Sequence, residues 1–253
     1  MADLTGTSAL IVGASMGLGR GIAEAFDGAG ASVIAVAREA GPLRELAAAG
    51  KSIRAERADA AADGTAAALI ARCQPDVLVL VAGAIPLGKP VQEYTWEEFS
   101  LHWNADVKIA FTWLTAALTA PLALGSRVIV VSSGAGVFGS PVSGGYAPAK
   151  AAQRFLAAYA REESARGGLG ITITAVHPSL NPFGRVGQSG IAAYAARSGK
   201  TREEQLAGMG TTLTPAITGA ALAELAQADP AAVADAYLLS EHGLSVLPPP
   251  APS

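Results

Sequence analysis

The sequence predicts an α/β fold, a doubly wound (Rossmann-type) and mainly parallel sheet with helices on both faces. Short runs of β-prone residues alternate along the chain with Ala-rich segments of helical character. Two of the runs, residues 77–81 and 128–131, are apolar throughout, which is typical of strands in a parallel sheet that helices cover on both faces. With 253 residues and no internal repeat, the chain is predicted to form one domain over residues 1–253.

Four strands and three helices are predicted before residue 85. The strands are placed at residues 8–12, 33–36, 53–56 and 77–81. The helices are placed at residues 20–29, 42–50 and 60–72. Gly30 suits the end of the first helix, because glycine readily adopts the left-handed conformation that ends helices.

The second half of the chain continues this alternation and then departs from it. The next predicted elements are a helix at 95–119 that begins with a capping box, a strand at 128–131, a helix at 151–166 and a strand at 171–176. Residues 179–214 are rich in Gly, Ser, Thr and Pro, and are predicted to form a variable substrate loop with at most one or two short helices. Helices are then predicted at 216–228 and 230–239, before a flexible Pro-rich tail at 246–253.

Composition argues against several classes of function. The net charge is −3 and no basic run occurs, so no nucleic-acid partner is expected. No apolar run approaches the roughly 18 residues of a membrane span, and no secretory signal is apparent, so we expect no membrane association. Cys73 is the only cysteine and the three histidines are scattered, which predicts no disulfide and no metal site. We therefore expect a cytoplasmic protein.

The stretch at residues 132–150 carries the strongest chemical signal. Tyr146 and Lys150 are four residues apart at a predicted helix start, so they lie on one face, one turn apart. Pro148 between them is compatible only with the first turn of a helix, where its missing N–H bonds nothing. The ammonium group is expected to favour the phenolate and to lower the pKa of Tyr146 toward the range useful for general acid–base catalysis.

Ser133 lies before Tyr146, just beyond a predicted strand, and its hydroxyl can donate to a developing oxyanion. The alternative interpretation is a surface tyrosine and a solvated lysine that share a helix face by chance, because the spacing alone is weakly specific. The position of the pair after a serine-bearing strand end favours the catalytic interpretation.

Gly13, Gly17 and Gly19 separate the first predicted strand from the first predicted helix. Glycines at such a turn let bare backbone and the positive helix N-terminus approach a diphosphate. The alternative is a tight turn that needs glycine for a positive φ. The position after the first strand of an alternating chain favours a dinucleotide site.

Four motifs together resemble those of the short-chain dehydrogenase/reductase family, over residues 7–178 and more weakly to 240. The motifs are Gly13-x-x-x-Gly17-x-Gly19, Asn104, Ser133 and Tyr146-x-x-x-Lys150. The resemblance implies an enzyme that transfers hydride between a nicotinamide cofactor and a small-molecule carbonyl or secondary alcohol. It also implies a homodimer or homotetramer.

The resemblance also implies a role for each residue of the catalytic motifs. Tyr146 would be the general acid in reduction and the general base in oxidation. Lys150 would hold the nicotinamide ribose and lower the tyrosine pKa. Ser133 would orient the substrate oxygen, with Ser132 as the alternative donor. Asn104 would anchor a water that relays protons to Lys150, unless it is a polar helix residue satisfied by backbone.

Cofactor choice is implied by the end of the second strand. An acidic residue there accepts the ribose hydroxyls of NAD, whereas an arginine pairs with the 2′-phosphate of NADP. Arg38 therefore favours NADP(H) over NAD(H), although Glu39 could turn inward and accept the ribose. Asp59 corresponds to the family's adenine-contacting acid, or caps a helix. The implied cofactor-binding residues are Gly13, Ser15, Met16, Gly17, Leu18, Gly19, Arg38, Asp59, Ala82, Gly83, Tyr146, Lys150, Pro178 and Ser179.

Several positions depart from the family pattern. Val81 replaces an asparagine after the fourth strand, Ser179 replaces a glycine after the sixth, and Phe183 stands where a threonine often contacts the carboxamide. The C-terminus also lacks a Gly-rich closing strand. These departures keep an alternative function open, a catalytically silent nucleotide-binding regulator or scaffold of the same fold.

The substrate is predicted to be moderately apolar. In the variable loop, Phe183 and Tyr194 are the aromatic candidates for substrate contact, together with Ser133 and Tyr146. The loop carries few charges, so a polyanionic substrate is not expected.

Overall fold

A computed structural model describes residues 2–248, and its strands form one sheet. The strands are β1 (Ser8–Val12), β2 (Ser32–Ala37), β3 (Ile53–Arg57), β4 (Val77–Leu80), β5 (Arg127–Val131), β6 (Thr172–Pro178), β7 (Ala236–Ser240) and β8 (Gly243–Val246). They are ordered β3-β2-β1-β4-β5-β6-β7-β8, and only the pair of β7 and β8 is antiparallel. The predicted mainly parallel, doubly wound sheet is confirmed.

Helices connect the described strands. They are α1 (Gly17–Gly28), α2 (Ala40–Ala49), α3 (Thr65–Cys73), α4 (Trp96–His102), α5 (Lys108–Thr119), α6 (Ala135–Phe138), α7 (Tyr146–Arg166), α8 (Gly184–Arg197), α9 (Arg202–Ala207) and α10 (Pro215–Gln227). A π-helical turn, Trp103–Val107, joins α4 to α5. The chain moves from β1 outward to β3 and then returns to β4 on the other side of β1, which opens a crevice at the carboxyl ends of these strands.

Alternate side chains of β1 enter two different cores. Ala9 and Ile11 pack in the core that α1, α2 and α10 cover. Leu10 and Val12 pack in the core that α3, α5 and α7 cover. Because successive strand residues point to opposite faces, a strand with every residue buried needs helices on both sides of the sheet.

The predicted helix at 230–239 is wrong. A single 3-10 turn, Pro230–Ala232, leads instead into β7, which pairs with β6. Tyr237 and Leu239 enter one core while Ala236 enters the other, so this segment follows the period of a strand. A closing strand is therefore present, although β7 contains no glycine and is not the Gly-rich strand of the family pattern.

Other boundaries differ less. The helix predicted at 20–29 begins at Gly17, inside the glycine loop. The two helices within residues 179–214 agree with the prediction in number, but α8 is 14 residues long. Asp59 does not cap α3, because Gly64 holds that position; the Asp59 carboxylate accepts the Ala61 N–H at 3.0 Å.

The predicted flexible tail at 246–253 lies mostly outside the described residues. Val246 still belongs to β8, and residues 249–253 are not described.

Candidate active site

A cavity of about 900 Å³ runs along the carboxyl ends of the parallel strands. Gly13, Arg38, Ala82, Ser133 and Ser179, which follow β1, β2, β4, β5 and β6 in turn, all line it. Every residue that the sequence predicts for a catalytic, cofactor or substrate role also lines this cavity. In open α/β sheets this edge is where ligands bind, so the cavity is the candidate active site.

The glycine loop fits a diphosphate because its backbone is packed too closely for side chains. A Cβ on Gly13 would lie 2.5 Å from the Ala82 nitrogen, and one on Gly19 would lie 2.1 Å from the Gly13 oxygen. Within the described residues, no side chain caps the first turn of α1. The free N–H groups and the positive end of the helix therefore face the cavity at a point suited to an anion.

Charged side chains from the segment after β2 and from the start of α8 line the end of the cavity beyond β2. Arg38 follows β2 directly, and its carbonyl accepts a hydrogen bond from Arg57 Nε at 3.1 Å. The Glu39 carboxylate lies 3.3 Å from Arg185 Nη1, at the start of α8. Glu39 is thus paired across the cavity mouth, and among the described residues no carboxylate pairs with Arg38.

Tyr146 and Lys150 occupy the first turn and a half of α7. The helix begins at Tyr146, so Pro148 lies in the first turn, where proline is tolerated. Both side chains are buried, and Lys150 Nζ lies 5.5 Å from the centre of the Tyr146 ring. The Ser133 hydroxyl acts to lower the pKa of the phenol, and its oxygen accepts the Ala135 N–H at 3.2 Å. Ser132, the alternative donor, is committed elsewhere, because its hydroxyl donates to the Lys150 carbonyl at 2.7 Å.

Asp106, and not Asn104, is the residue of the π-helical turn whose side chain contacts Lys150. Asn104 lines the cavity, but its side chain is exposed. The side chain that meets Lys150 is Asp106, which is fully buried and has Oδ1 3.0 Å from Lys150 Nζ. Both residues lie in the π-helical turn, whose extra residue shifts the inward-facing position relative to a regular helix. The water relay through Asn104 stays a prediction, and Asp106 is the residue of this turn that contacts Lys150 directly.

Asp106 is the centre of a buried polar network that the sequence did not reveal. Its Oδ2 accepts the Ala84 N–H at 3.0 Å and lies 3.0 Å from His102 Nδ1. Gln153 donates to the Asp106 carbonyl at 2.8 Å and accepts from Lys150 at 3.1 Å. One signal was available, the four-residue spacing of His102 and Asp106, which brings them to one face of a helix.

The net pKa shift of Tyr146 is opposite to the predicted one. Burial raises the pKa of Tyr146; the Lys150 ammonium and the Ser133 hydroxyl oppose this, and the Asp106 charge adds to it. Burial disfavours the Lys150 ammonium, yet the Asp106 carboxylate outweighs it and the pKa of Lys150 is raised. Burial likewise disfavours the Asp106 carboxylate, but Lys150 and His102 hold its pKa below the ordinary value. The phenol is therefore protonated at neutral pH and can donate.

His177 supports the strand end that carries Ser133. It is fully buried on β6, with Nδ1 3.1 Å from the Ser133 carbonyl oxygen. Burial lowers the pKa of His177 to about 4, so the imidazole is neutral at physiological pH and donates from Nδ1 to that carbonyl.

The first turn of α8 lies near the β2 end of the cavity, and the later residues of the helix cover the end that lies away from β2. The helix carries Tyr194, one of the two aromatic residues of the variable loop that are predicted to contact substrate. Tyr194, on α8, donates its hydroxyl to Ser140 Oγ at 2.7 Å, and Phe183 precedes the helix. Ser189 Oγ donates to the Pro86 carbonyl at 2.6 Å. Further side chains that line this end are largely apolar: Ile85, Leu101, Phe138, Val142, Leu180 and Val186.

Residues 2–248 hold neither a metal-ligand cluster nor a membrane-spanning helix. No group of three His, Cys, Asp or Glu side chains in that range is placed to hold a metal ion. None of the described helices is both long and apolar enough to cross a membrane.

Comparison with known proteins gives a consistent result. A family model described as short chain dehydrogenase matches residues 7–181. A short chain dehydrogenase of Pseudocercospora fijiensis is 32% identical over 164 residues, which cover 59% of this chain and 52% of the relative. The short chain dehydrogenase/reductase AacuD of Aspergillus aculeatus is 34% identical over 156 residues, which cover 58% and 55%. The chain thus spans about half the length of these relatives.

The fold has a solved counterpart. The crystal structure of a short chain dehydrogenase from Mycobacterium avium superposes with a TM-score of 0.78 over 99% of this chain and 87% of the other, at 24% identity. At that identity the likeness shows the fold.

Proposed function

We propose that this chain, which belongs to the short-chain dehydrogenase family, is an oxidoreductase that transfers hydride between NADP(H) and a carbonyl or secondary alcohol. One observation carries the proposal. Tyr146, Lys150 and Ser133 come together on one wall of a cavity that continues to the glycine loop. A donor for an oxygen and a cradle for a diphosphate are thus combined in one site.

Each residue of the site has its own role in the proposed reaction. A nicotinamide cofactor, when bound, supplies the hydride for reduction and accepts it in oxidation. In reduction, the Ser133 hydroxyl orients the substrate oxygen, and the Tyr146 phenol gives its proton to that oxygen while the carbonyl carbon gains hydride. In oxidation, the phenolate of Tyr146 removes the proton of the alcohol. The raised pKa of Tyr146 keeps the phenol protonated at neutral pH, as proton donation in reduction requires.

The preference for NADP(H) is supported by the partners of two neighbouring side chains. The sequence leaves open whether Glu39 takes the ribose hydroxyls. In the structure Glu39 pairs with Arg185, while Arg38 lines the cavity with no carboxylate partner among the described residues. Arg38 is therefore free to pair with a 2′-phosphate.

We also propose a homodimer or homotetramer, in line with the family resemblance. Four aromatic side chains on the π-helical turn, α5 and α7 are 43% to 59% exposed: Trp103, Phe111, Phe155 and Tyr159. An exposed apolar patch of this kind favours an interface between protein surfaces. A mass of one chain by light scattering would contradict the proposal.

Two measurements separate the enzyme from a silent nucleotide-binding protein. Fluorescence titration with NADPH and NADH tests cofactor binding, and a panel of apolar ketones and aldehydes tests turnover. The Tyr146→Phe variant is expected to bind NADPH as the parent does and to lose about 10²- to 10⁴-fold in kcat, since it lacks the proton donor.

The results also discriminate between the alternatives. Tight NADPH binding without turnover of any substrate would favour the silent regulator. Equal turnover by Tyr146→Phe would refute the role given to Tyr146. A preference for polyanionic substrates would contradict the apolar character proposed for the substrate.

A further inference from the structure

Three ionisable side chains form a closed, buried group behind Tyr146. Asp106 reaches Lys150 through Oδ1 and His102 through Oδ2, each at 3.0 Å. His102 is 1% exposed and Asp106 is 0% exposed. These residues come from α4, the π-helical turn and α7, so the fold brings them together from three elements.

A buried carboxylate is costly unless opposite charges or hydrogen-bond donors compensate its charge. Oδ1 lies 3.0 Å from Lys150 Nζ as an ion pair and accepts no aligned hydrogen bond from the described residues, whereas Oδ2 accepts the Ala84 N–H and contacts His102 Nδ1. Removing one partner would leave a buried charge without compensation. The carboxylate therefore depends on its neighbours, and its charge acts directly on Lys150.

His102 also contacts the tyrosine. Its ring meets the Tyr146 ring edge to face, with the centroids 5.2 Å apart. His102 Nε2 is buried and has no hydrogen-bond partner among the described residues. A phenylalanine would make the same ring contact without that unpartnered nitrogen, so packing alone does not account for histidine. The feature that only histidine supplies is the Nδ1 contact with Asp106.

We propose that His102 and Asp106 are positioning residues for the Tyr146–Lys150 pair. Asp106 holds the lysine ammonium beside the phenol, and His102 fixes the carboxylate through Nδ1 while its ring supports the phenol. The inference rests on the proposed function, because it assigns these residues to the same reaction.

The arrangement has a consequence for ionisation. A negative charge next to an acid favours the protonated form of that acid, so Asp106 raises the pKa of both Tyr146 and Lys150. A hydrogen-bond donor or a positive charge that contacts the Asp106 carboxylate weakens its effect on these two pKa values. Two other titratable groups belong to this region: His177 on β6 is neutral at physiological pH because its pKa is about 4, and Arg154 on α7 carries a positive charge that acts on His177.

Asp106→Asn is the first test, because it removes the charge and keeps the shape. Without the carboxylate, the apparent pKa of the Tyr146–Lys150 pair is expected to fall, by about 1 to 3 pH units. The measurement is an NMR titration of protein labelled with ¹³C at the phenolic carbon of tyrosine, with Tyr146→Phe to assign the signal. It needs no substrate and no cofactor.

His102→Phe is the second test and is expected to shift the titration in the opposite direction. This variant keeps a ring against Tyr146 and removes the contact with Asp106. The Asp106 charge then raises the pKa of the Tyr146–Lys150 pair without any offset from His102. The Tyr146 signal should move to higher pH, or stay unionised until the protein unfolds in alkali. General loosening of the site would move both variants in one direction, so opposite shifts identify the electrostatic role.

The control is Asp63→Asn, which removes the same charge from an exposed pair with Lys108. It should leave the Tyr146 titration unchanged. Unchanged titrations in both test variants, or shifts in the same direction, would overturn the inference even if the enzyme reduces carbonyls. Opposite shifts in a protein without turnover would uphold the electrostatic network and refute the proposed function alone. If Asp106→Asn does not fold, a His102→Phe titration equal to the parent's suffices to overturn the proposal.

Discussion

The charge balance around Tyr146 depends on side chains from different elements of the fold. Lys150 is its neighbour on α7, whereas Asp106 comes from the π-helical turn. The spacing of Tyr146 and Lys150 predicts a lowered pKa, yet burial and Asp106 reverse the net direction. A spacing motif describes partners on one helix face, and it contains no information about a carboxylate that another element brings in.

At the same scale, Arg38 is expected to decide between the two nicotinamide cofactors. Arg38→Ala removes the cation available to a 2′-phosphate, so NADPH affinity should fall about 10- to 100-fold, the range of a hydrogen bond to a charged group. NADH affinity should change little. The measurement is fluorescence titration of both cofactors.

The matched control for this prediction is Arg44→Ala, an exposed arginine of α2 that does not line the cavity. Equal losses of NADPH and NADH affinity in Arg38→Ala would mean that the arginine supports the fold or contacts a part common to both cofactors. That result would contradict the NADP(H) preference.

Among the elements, α8 is the one that closes the cavity, and three contacts fasten it. Arg185 pairs with Glu39, Ser189 donates to the Pro86 carbonyl, and Tyr194 donates to Ser140. Composition alone indicates a variable segment at residues 179–214. Its contacts are with distant parts of the chain, which is why a local pattern could not predict where the helix would lie.

Loosening α8 should weaken substrate binding more than it slows the chemical step. Ser189→Ala and Tyr194→Phe each remove one hydrogen bond, worth about 0.5 to 1.5 kcal/mol, so KM should rise roughly 2- to 10-fold while kcat changes little. Steady-state kinetics of carbonyl reduction measure both quantities. Ser198→Ala, at the exposed end of α8, serves as the control. A loss in kcat with KM unchanged would place these hydroxyls in the chemical step instead.

The strands show what could be predicted at the scale of elements and what could not. β4 and β5 were predictable because their runs are apolar without interruption, a pattern that a covered parallel sheet requires. β7 was not, because Ala236–Ser240 follows an Ala-rich segment and its alternation is only visible once Tyr237 and Leu239 are seen in the core. Pairing with β6 overrides the local helical preference.

For the whole molecule, the sequence predicted the sheet, the glycine loop and the placement of Ser133, Tyr146 and Lys150 at one edge. These follow from the order of strands and helices, because the carboxyl ends of parallel strands meet at the same edge. Asp106 and His102 could not be predicted in the same way. Their importance comes from burial and from contacts across elements, which only the folded chain shows.

The central claim is that Tyr146 gives a proton to an oxygen whose carbon receives hydride from the nicotinamide. The most direct measurement uses NADPH with deuterium at the transferring carbon and follows the label into the alcohol by mass spectrometry. The parent protein should place one deuterium on the former carbonyl carbon, and Tyr146→Phe should bind the cofactor but transfer the label at least about 100-fold more slowly. No label in the product, or equal transfer by Tyr146→Phe, would contradict the claim.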